Sequence, residues 1–190
     1  RRIEICSENI MEFGSAGFLP HPAWYPPTEW LGNAAGPHTF HLISGQPADK
    51  LHSQLDHGPE SMAAKVMGRT PVDLNPSDAT SLGIVDGDLL RVFNDRGACL
   101  ASARLNASIV QGCVAMSTGA WLDAERQADG TLMCRDGNPN TLTRDKGTSE
   151  LAQGPTAHSC LVGIEKFLGQ SEPTNVYSPP EIDRSMAKRN

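Results

Sequence analysis

Glycine and proline interrupt this chain so often that no regular element in it can be long. The 190 residues include 18 glycines and 14 prolines, and the apolar runs between them are only four to eight residues long. Proline removes a backbone donor and glycine carries an entropic cost inside helices and strands, so both residues favour turns. We therefore predict a mainly β fold of six or seven short strands with two short helices, arranged as a small closed barrel.

Short runs with apolar alternation mark the predicted strands. A cap residue, a proline at the first helical position and a closing glycine predict a helix between Asn75 and Gly83. Gly147 to Glu150 resembles a capping sequence and predicts a short helix reaching Gln153. A further helix is expected near residues 61–66. The predicted strands and extended pieces are residues 2–6, 39–44, 71–74, 89–94, 98–105, 112–117 and 160–166.

Three segments follow from this pattern. Residues 1–38 are predicted to form an N-terminal strand and an arm rich in glycine, proline and aromatic residues; residues 39–168 form the barrel and residues 169–190 an extended C-terminal tail. The arm carries Trp24, Tyr25 and Trp30, which need a surface in this or another domain. The chain opens within a strand-like run and without an initiator methionine, so we expect it to be an excised piece of a longer protein.

Composition argues against several classes of partner. The net charge is −6 and the pI about 5.5, so we expect no nucleic-acid partner. No apolar run reaches membrane-spanning length, so we expect no membrane partner. The five cysteines show no CxxC spacing and favour small buried side chains in a reducing compartment, hence a cytoplasmic protein, with the periplasm as the other possibility. We assign neither a metal ligand nor a catalytic residue in this chain.

Three polar loops are candidates for ligand binding. His52, Ser53 and Gln54 follow a strand end and can read the edge of a heterocycle, although an ordinary polar loop has the same composition. Asn138 and Asn140 can each donate and accept, and they are also common turn residues. The segment from Gly147 to Gly154 could present backbone N–H groups to a phosphate, or simply cap a helix.

Taken in order, these segments resemble a known family. Residues 40–56 (FHLISGQPADKLHSQLD), 83–88 (GIVDGD), 91–97 (RVFNDRG), 137–143 (GNPNTLT) and 147–153 (GTSELAQ) are similar to the C-terminal molybdopterin-dinucleotide-binding domain of biotin sulfoxide, dimethyl sulfoxide and trimethylamine N-oxide reductases. The FNDRG turn most resembles the biotin sulfoxide reductase branch. The resemblance covers roughly residues 1–168, and the ordered series is much more specific than any single motif.

The resemblance implies a double-psi β-barrel within a molybdenum enzyme that reduces S-oxides or N-oxides by oxygen-atom transfer. The complete enzyme would bind bis(molybdopterin guanine dinucleotide) molybdenum, and its other domains would supply the metal ligand, leaving this piece inactive alone. The residues implied in cofactor binding are Ser44, His52, Ser53, Gln54, Asn138, Asn140, Thr148 and Gln153. The alternative is a free-standing double-psi barrel that binds a protein or nucleotide without redox activity. An exposed apolar patch would favour the first interpretation.

Overall fold

Six strands close into a barrel in the computed structural model, which describes residues 3–33, 39–171 and 173–179. The strands are β1 (Thr39–Ile43), β2 (Pro71–Leu74), β3 (Leu89–Asn94), β4 (Gly97–Leu105), β5 (Cys113–Met116) and β8 (Cys160–Lys166). Their order around the barrel is β2-β5-β1-β8-β3-β4, and a parallel pairing between β2 and β4 closes the ring. Closure leaves no open sheet edge among these six strands.

Several of the barrel strands each lie between two other strands that are consecutive in the sequence order of the barrel strands. Strand β2 lies between β4 and β5, parallel to the first and antiparallel to the second. Strand β1 lies between β5 and β8, again parallel to one neighbour and antiparallel to the other. The same arrangement occurs twice: β5 lies between β1 and β2, and β2 lies between β4 and β5, each parallel to the first and antiparallel to the second. The double-psi barrel implied by the resemblance is therefore confirmed.

The barrel interior is filled by alternate apolar side chains. Phe40 and Leu42 of β1 point inward, as do Leu90 and Val92 of β3, and all four are at most 4% exposed. Residues 97–103 of β4 are buried on both faces, because this strand is also covered on its outer side. Burying each large aliphatic side chain contributes about 1.5–3 kcal/mol, so this inward row is the main source of barrel stability.

A hairpin that the sequence did not predict extends the sheet beside the first residues of β4. Strands β6 (Ala124–Arg126) and β7 (Leu132–Cys134) lie within residues 118–146, where no strand was predicted. Strand β7 pairs in parallel with β4, and Cys99 lies beside Cys134. Strands of only three residues cannot be recognised in such a polar and glycine-rich sequence. Pairing with an existing sheet can stabilise a strand that its own composition disfavours.

Helices α2 (Pro59–Ala64) and α3 (Pro76–Ser81) agree with the predicted positions. Asn75 caps α3 by accepting the backbone N–H of Ser77 at 2.8 Å, as its sequence indicated. Short 3-10 helices occupy Leu31–Asn33 and Pro139–Thr141. In the part of the chain that the structure describes, no helix is long and apolar enough to cross a membrane.

Two predicted elements are wrong. Residues 3–6 form no strand, and helix α1 (Glu8–Glu12) follows instead. Ile3 and Ile5 are 92% and 74% exposed, because alternation produces a strand only where a neighbouring strand can pair with it. Residues 147–153 form no helix either.

Residues 147–153 instead form a loop that is held together by hydrogen bonds between its own residues. The Thr148 hydroxyl donates to the Ala152 carbonyl at 2.8 Å, and the Gln153 amide donates to the Ser149 carbonyl at 2.7 Å. Gly147 and Pro155 bridge its ends. Side chains that bond nearby backbone groups compete with the helical hydrogen-bond pattern, which explains why a capping sequence led to no helix here.

A partly buried ion pair fixes the arm to the barrel. Both guanidinium nitrogens of Arg96 donate to Glu29, at 2.8 and 2.9 Å, and the Leu161 backbone N–H donates to the same carboxylate at 2.9 Å. Burial of Glu29 opposes its ionisation, but these hydrogen bonds and the nearby Arg144 outweigh it and hold the pKa of Glu29 below its usual value. The carboxylate thus links an arm residue to β8 and to the β3–β4 turn.

We expect Glu29→Gln to lower the free energy of unfolding at pH 7 by about 1–3 kcal/mol, because one bidentate charge-assisted contact is lost. The pKa of Glu29 is depressed in the folded protein, so the stabilisation is present above the unfolded pKa and is lost as pH falls through the folded pKa. The difference between wild type and variant should therefore shrink on acidification from pH 7 to pH 3. Thermal or urea unfolding at each pH measures it.

Glu165→Gln is the matched control for this experiment. Glu165 pairs with Arg91 at 2.9 Å but is 52% exposed, so its removal should change stability by no more than about 0.5 kcal/mol. An equal effect of both substitutions at pH 7 would contradict the anchoring role of Glu29.

Candidate functional site

The loop that carries His52, Ser53 and Gln54, which were predicted to bind a heterocycle, contacts a second loop at residues 119–121. The backbone of Gly119 approaches that of His52 so closely that a Cβ on Gly119 would lie 1.8 Å from the His52 carbonyl oxygen. The Trp121 indole N–H donates to the Ser53 carbonyl at 2.7 Å. Residues 119–121 therefore contact the loop that carries His52, Ser53 and Gln54 and fix its position. All three of those residues are exposed.

Asn138 supports the same segment from the other side. Its side-chain amide donates to the Ala120 carbonyl at 2.8 Å, and its amide oxygen accepts the backbone N–H of Asn140 at 2.9 Å. Asn138 is 7% exposed, whereas Asn140 is exposed. Five of the eight predicted residues are thus brought together around residues 119–121. The role of residues 119–121 as the centre of this group depends on tertiary contacts.

The loop carrying His52 has an unusual backbone. His52 and Leu55 have φ angles of 52° and 62°, in the left-handed region that side chains with a Cβ rarely adopt. Such residues cost roughly 1–3 kcal/mol each and persist only where surrounding contacts impose them. Their presence on either side of Ser53 and Gln54 shows that the conformation of this loop is imposed by its neighbours.

Ser44 lies at the start of the same connection, directly after β1. It is 3% exposed, and its hydroxyl has no hydrogen-bond partner among the described residues. The residues that follow it line a cavity of about 430 Å³ with both charged and apolar side chains in its walls. Its lining comprises residues 45–50, Ser61, Ala64, Lys65, Thr70, Pro71, Asp73, Arg104 and residues 115–117.

Thr148 and Gln153 lie elsewhere. Thr148 lines a second cavity of about 590 Å³, between residues 23–28 of the arm and the loop that follows Leu142. Arg144 and Lys146 also line it and give it a positive wall. The side chains of Thr148 and Gln153 hold their own loop together, as described above, so their contribution to this cavity comes through the shape of that loop.

A cluster of four buried charges, joined by a partly buried tyrosine, lies beneath these loops, and no local pattern in the sequence indicated it. Lys50 binds Asp56 at 2.6 Å and Lys65 binds Asp136 at 2.8 Å, with every one of these side chains at most 4% exposed. The Tyr177 hydroxyl lies 2.7 Å from Asp56 and 2.6 Å from Asp136. Residues from four separate segments therefore meet in one network without net charge.

The cluster perturbs the acidity of its members. Burial would raise the pKa of Asp56, but hydrogen bonds from Lys50, Tyr177 and the Trp121 backbone N–H hold that pKa below its usual value. Burial raises the pKa of the Tyr177 hydroxyl, and its bonds to the carboxylates of Asp136 and Asp56 raise it further. Asp56 therefore stays ionised and Tyr177 stays protonated near neutral pH.

Tyr177 belongs to the tail that we predicted to be extended. Residues 173–179 are irregular, but Thr174 and Tyr177 bind buried carboxylates, so this part of the tail is anchored. Among the described residues, no group of three His, Cys, Asp or Glu side chains could hold a metal ion. The arrangement can thus supply oriented donors and acceptors, two lysines and a shaped cavity.

Comparison with known proteins shows what these loops belong to. The family model described as "Molydopterin dinucleotide binding domain" matches residues 40–161. The chain is 46% identical to biotin sulfoxide reductase of Cereibacter sphaeroides over 170 residues, 43% to trimethylamine-N-oxide reductase of Vibrio cholerae over 181, and 36% to dimethyl sulfoxide/trimethylamine N-oxide reductase of Cereibacter sphaeroides over 179. These alignments cover 89%, 94% and 94% of the chain but only 22% of each relative.

The fold has a counterpart among solved structures as well. Acetylene hydratase from Pelobacter acetylenicus superimposes with a TM-score of 0.67 at 18% sequence identity, covering 87% of this chain and 23% of that one. That likeness supports the architecture alone. Because the family model spans the barrel from β1 to β8 and includes both polar loops of the site, the chain belongs to the molybdopterin dinucleotide-binding domain family.

Proposed function

We propose that this chain binds molybdopterin guanine dinucleotide and covers the cofactor in a molybdenum enzyme that reduces S-oxides or N-oxides. The observation that carries the proposal is the buried Ser44 hydroxyl, which lacks a partner among the described residues and whose neighbour Gly45 lines the cavity of about 430 Å³. A buried hydroxyl without a hydrogen bond costs roughly 1–3 kcal/mol, so a ligand that accepts from it or donates to it gains that free energy.

The residues present fit a pterin dinucleotide. The cavity of about 430 Å³ lies within the usual range for small-molecule sites, roughly 300–1,000 Å³. Pterin and guanine rings carry donors and acceptors along their edges, and exposed Gln54 and Asn140 offer both kinds of group. His52 and Ser53 add further polar groups on a loop whose backbone is already fixed, which lowers the entropy cost of binding.

In such an enzyme the bound cofactor supplies the oxygen-atom transfer, and the protein supplies binding, orientation and electrostatics. Ser44, His52, Ser53, Gln54 and Asn140 would bind cofactor edges directly. Asn138 would orient the Ala120 backbone and Asn140, and Thr148 and Gln153 would hold the shape of the positively lined cavity near the arm. No residue of this chain is assigned to the metal.

The exposed apolar side chains of the arm favour a partner formed by the other domains of the same enzyme. Trp24 is 70% exposed and Phe13 is 61% exposed, and Ile3 and Ile5 are more exposed still. Large contiguous apolar exposure usually marks an interaction surface. The chain spans 22% of its curated relatives, so the remaining length of such a protein is sufficient to cover this surface.

The cysteines support a cytoplasmic location for the parent protein, as the sequence suggested. All five are free, and Cys99, Cys134 and Cys160 are buried. Burial raises the pKa of Cys99 and Cys160, which makes these thiols unreactive packing groups. Free thiols are typical of a reducing compartment.

Ser44→Ala in the full-length parent protein should weaken cofactor retention. We expect release of molybdenum and guanine nucleotide to become about tenfold faster, the change for one lost hydrogen bond of roughly 1–1.5 kcal/mol. The same substitution should leave the cofactor-free protein equally or more stable, since it removes a buried polar group without a partner. Metal and nucleotide analysis against time, with thermal unfolding of the cofactor-free form, measures both effects.

Ser102→Ala provides the matched control for Ser44. Ser102 is 1% exposed and its hydroxyl also lacks a partner among the described residues, but it lies within β4, and neither of its sequence neighbours lines the cavity, whereas Gly45 next to Ser44 does. Equal acceleration of release by both substitutions would contradict the proposed role of Ser44. A full-length protein that contains neither molybdenum nor pterin would overturn the proposed function and favour a binding module without redox activity.

Gly119→Ala should displace the loop that carries His52. Gly119 has a φ of +94°, and the added Cβ would overlap the His52 carbonyl, so we expect loss of most bound cofactor and a clear drop in stability. Gly130→Ala is the control, because Gly130 has a similar φ of +85° but nothing within 4 Å of the added Cβ. It should cost only the backbone strain, about 1 kcal/mol, and keep the cofactor. Comparable cofactor loss in both variants would refute the close approach as the cause.

A further inference from the structure

We propose that Tyr177 is a positioning residue for the cofactor-binding loops, and that residues 173–179 act as a strap that holds those loops in their binding conformation. The proposal rests on the proposed function for its link to the cofactor. Its structural part, the coupling between strap and loops, rests on contacts within this chain. Two separate contacts attach the strap, and one of them leads directly to the loop carrying Ser53.

The first contact is at Asp123, two residues after Trp121. The Thr174 hydroxyl donates to one carboxylate oxygen of Asp123 at 2.6 Å, and the Asn175 backbone N–H approaches the same oxygen at 3.3 Å. Arg135 donates to the other oxygen at 2.7 Å. Asp123 is 5% exposed, so water competes little for this carboxylate, and the start of the strap is fixed beside the Gly119–Trp121 segment.

The second contact is Tyr177 itself. Its single hydroxyl lies within hydrogen-bond distance of both Asp56 and Asp136, at 2.7 and 2.6 Å. Lys50 and Lys65 compensate the two carboxylates, and the Lys65 ammonium also lies 5.3 Å from the centre of the tyrosine ring. The hydroxyl therefore joins the Asp56 loop to Asp136, which follows β7, together with the Lys65 ammonium, which lies 3.8 Å from Asp56 and 2.8 Å from Asp136.

A short series of contacts leads from this hydroxyl to the binding loop. The oxygen of Asp56 that faces Tyr177 also accepts the Trp121 backbone N–H at 2.9 Å. The Trp121 indole donates to the Ser53 carbonyl, and its ring packs against both Tyr177 and His57, at 5.6 and 5.2 Å between centres. Tyr177 thus supports both sides of the loop that holds His52 and Leu55 in left-handed conformations.

The strap does not contribute to the barrel core. Among the described residues, the buried apolar clusters contain no member of residues 173–179. Loss of the Tyr177 hydroxyl should therefore loosen the loops locally and leave the barrel strands closed. This local effect distinguishes a positioning role from a general contribution to stability.

Tyr177→Phe in the full-length parent protein tests the proposal, because the substitution keeps the ring and removes only the hydroxyl. We expect backbone amide hydrogen exchange to accelerate about tenfold in residues 51–57 and 119–123, with β3, β4 and β8 unchanged. Release of molybdenum and guanine nucleotide from the purified enzyme should accelerate by a similar factor. Thr174→Val, which weakens the other anchor, should accelerate exchange in residues 119–123 and in the strap.

Thr131→Val is the matched control. It also removes a hydroxyl that donates to a carboxylate, that of Asp129 at 2.6 Å, but in the exposed turn between β6 and β7. It should change neither loop exchange nor cofactor release.

Three results separate the possible outcomes. Exchange that rises equally throughout the barrel in Tyr177→Phe would overturn the proposal, since Tyr177 would then be a general stabilising residue. Looser loops with unchanged cofactor release would also overturn it, because the loops would then not depend on the strap for binding. A parent protein without molybdenum or pterin would refute the proposed function, while the exchange measurement would still decide whether Tyr177 sets the conformation of the loops.

Discussion

The parallel pairing of β2 with β4 is the contact on which the rest of this structure depends. It joins Pro71 to Ser102 and continues to Leu74 beside Leu105, closing six short strands into a ring. Strands of four to nine residues are too short to be stable separately, and closure gives each of them two neighbours. The closed ring also buries the inward apolar row completely. Every loop of the candidate site therefore starts and ends on a rigid frame.

Polar contacts, rather than apolar packing, set the geometry of those loops. Backbone carbonyls of Ser53 and Ala120 are each bound by a side chain from another segment, Trp121 and Asn138 respectively. Beneath them, the network around Asp56 holds two lysines and two carboxylates out of water and binds the Tyr177 hydroxyl. Buried ion pairs add little net stability compared with apolar residues of similar size, but removal of one partner is costly. Such a network therefore favours one loop arrangement over others, which suits a surface that must match the edges of a ligand.

Much of the barrel could be predicted from local patterns. The strands containing Leu42, Leu90 and Val162 alternate clearly, and the Asn75 cap with its following proline specified a helix that the structure contains. Local patterns failed where a second segment decides the outcome. The alternation of residues 3–6 has no described neighbouring strand, the three-residue strand at Leu132 forms only beside β4, and the capping sequence at Gly147 closes on its own side chains.

The sequence by itself determined the barrel class, the family and the polar loops that carry His52, Asn138 and their neighbours. These features can be recognised because the alternation of apolar residues, the turn residues and the ordered motifs each involve residues that are close together along the chain. The tertiary structure alone decided which of these loops meet, where the buried hydroxyl of Ser44 lies without a partner among the described residues, and that Tyr177 reaches Asp56 and Asp136. The physical reason is distance along the chain. The Tyr177 contacts join residues 121 and 41 positions apart, and no local pattern records a pairing that only chain closure brings about.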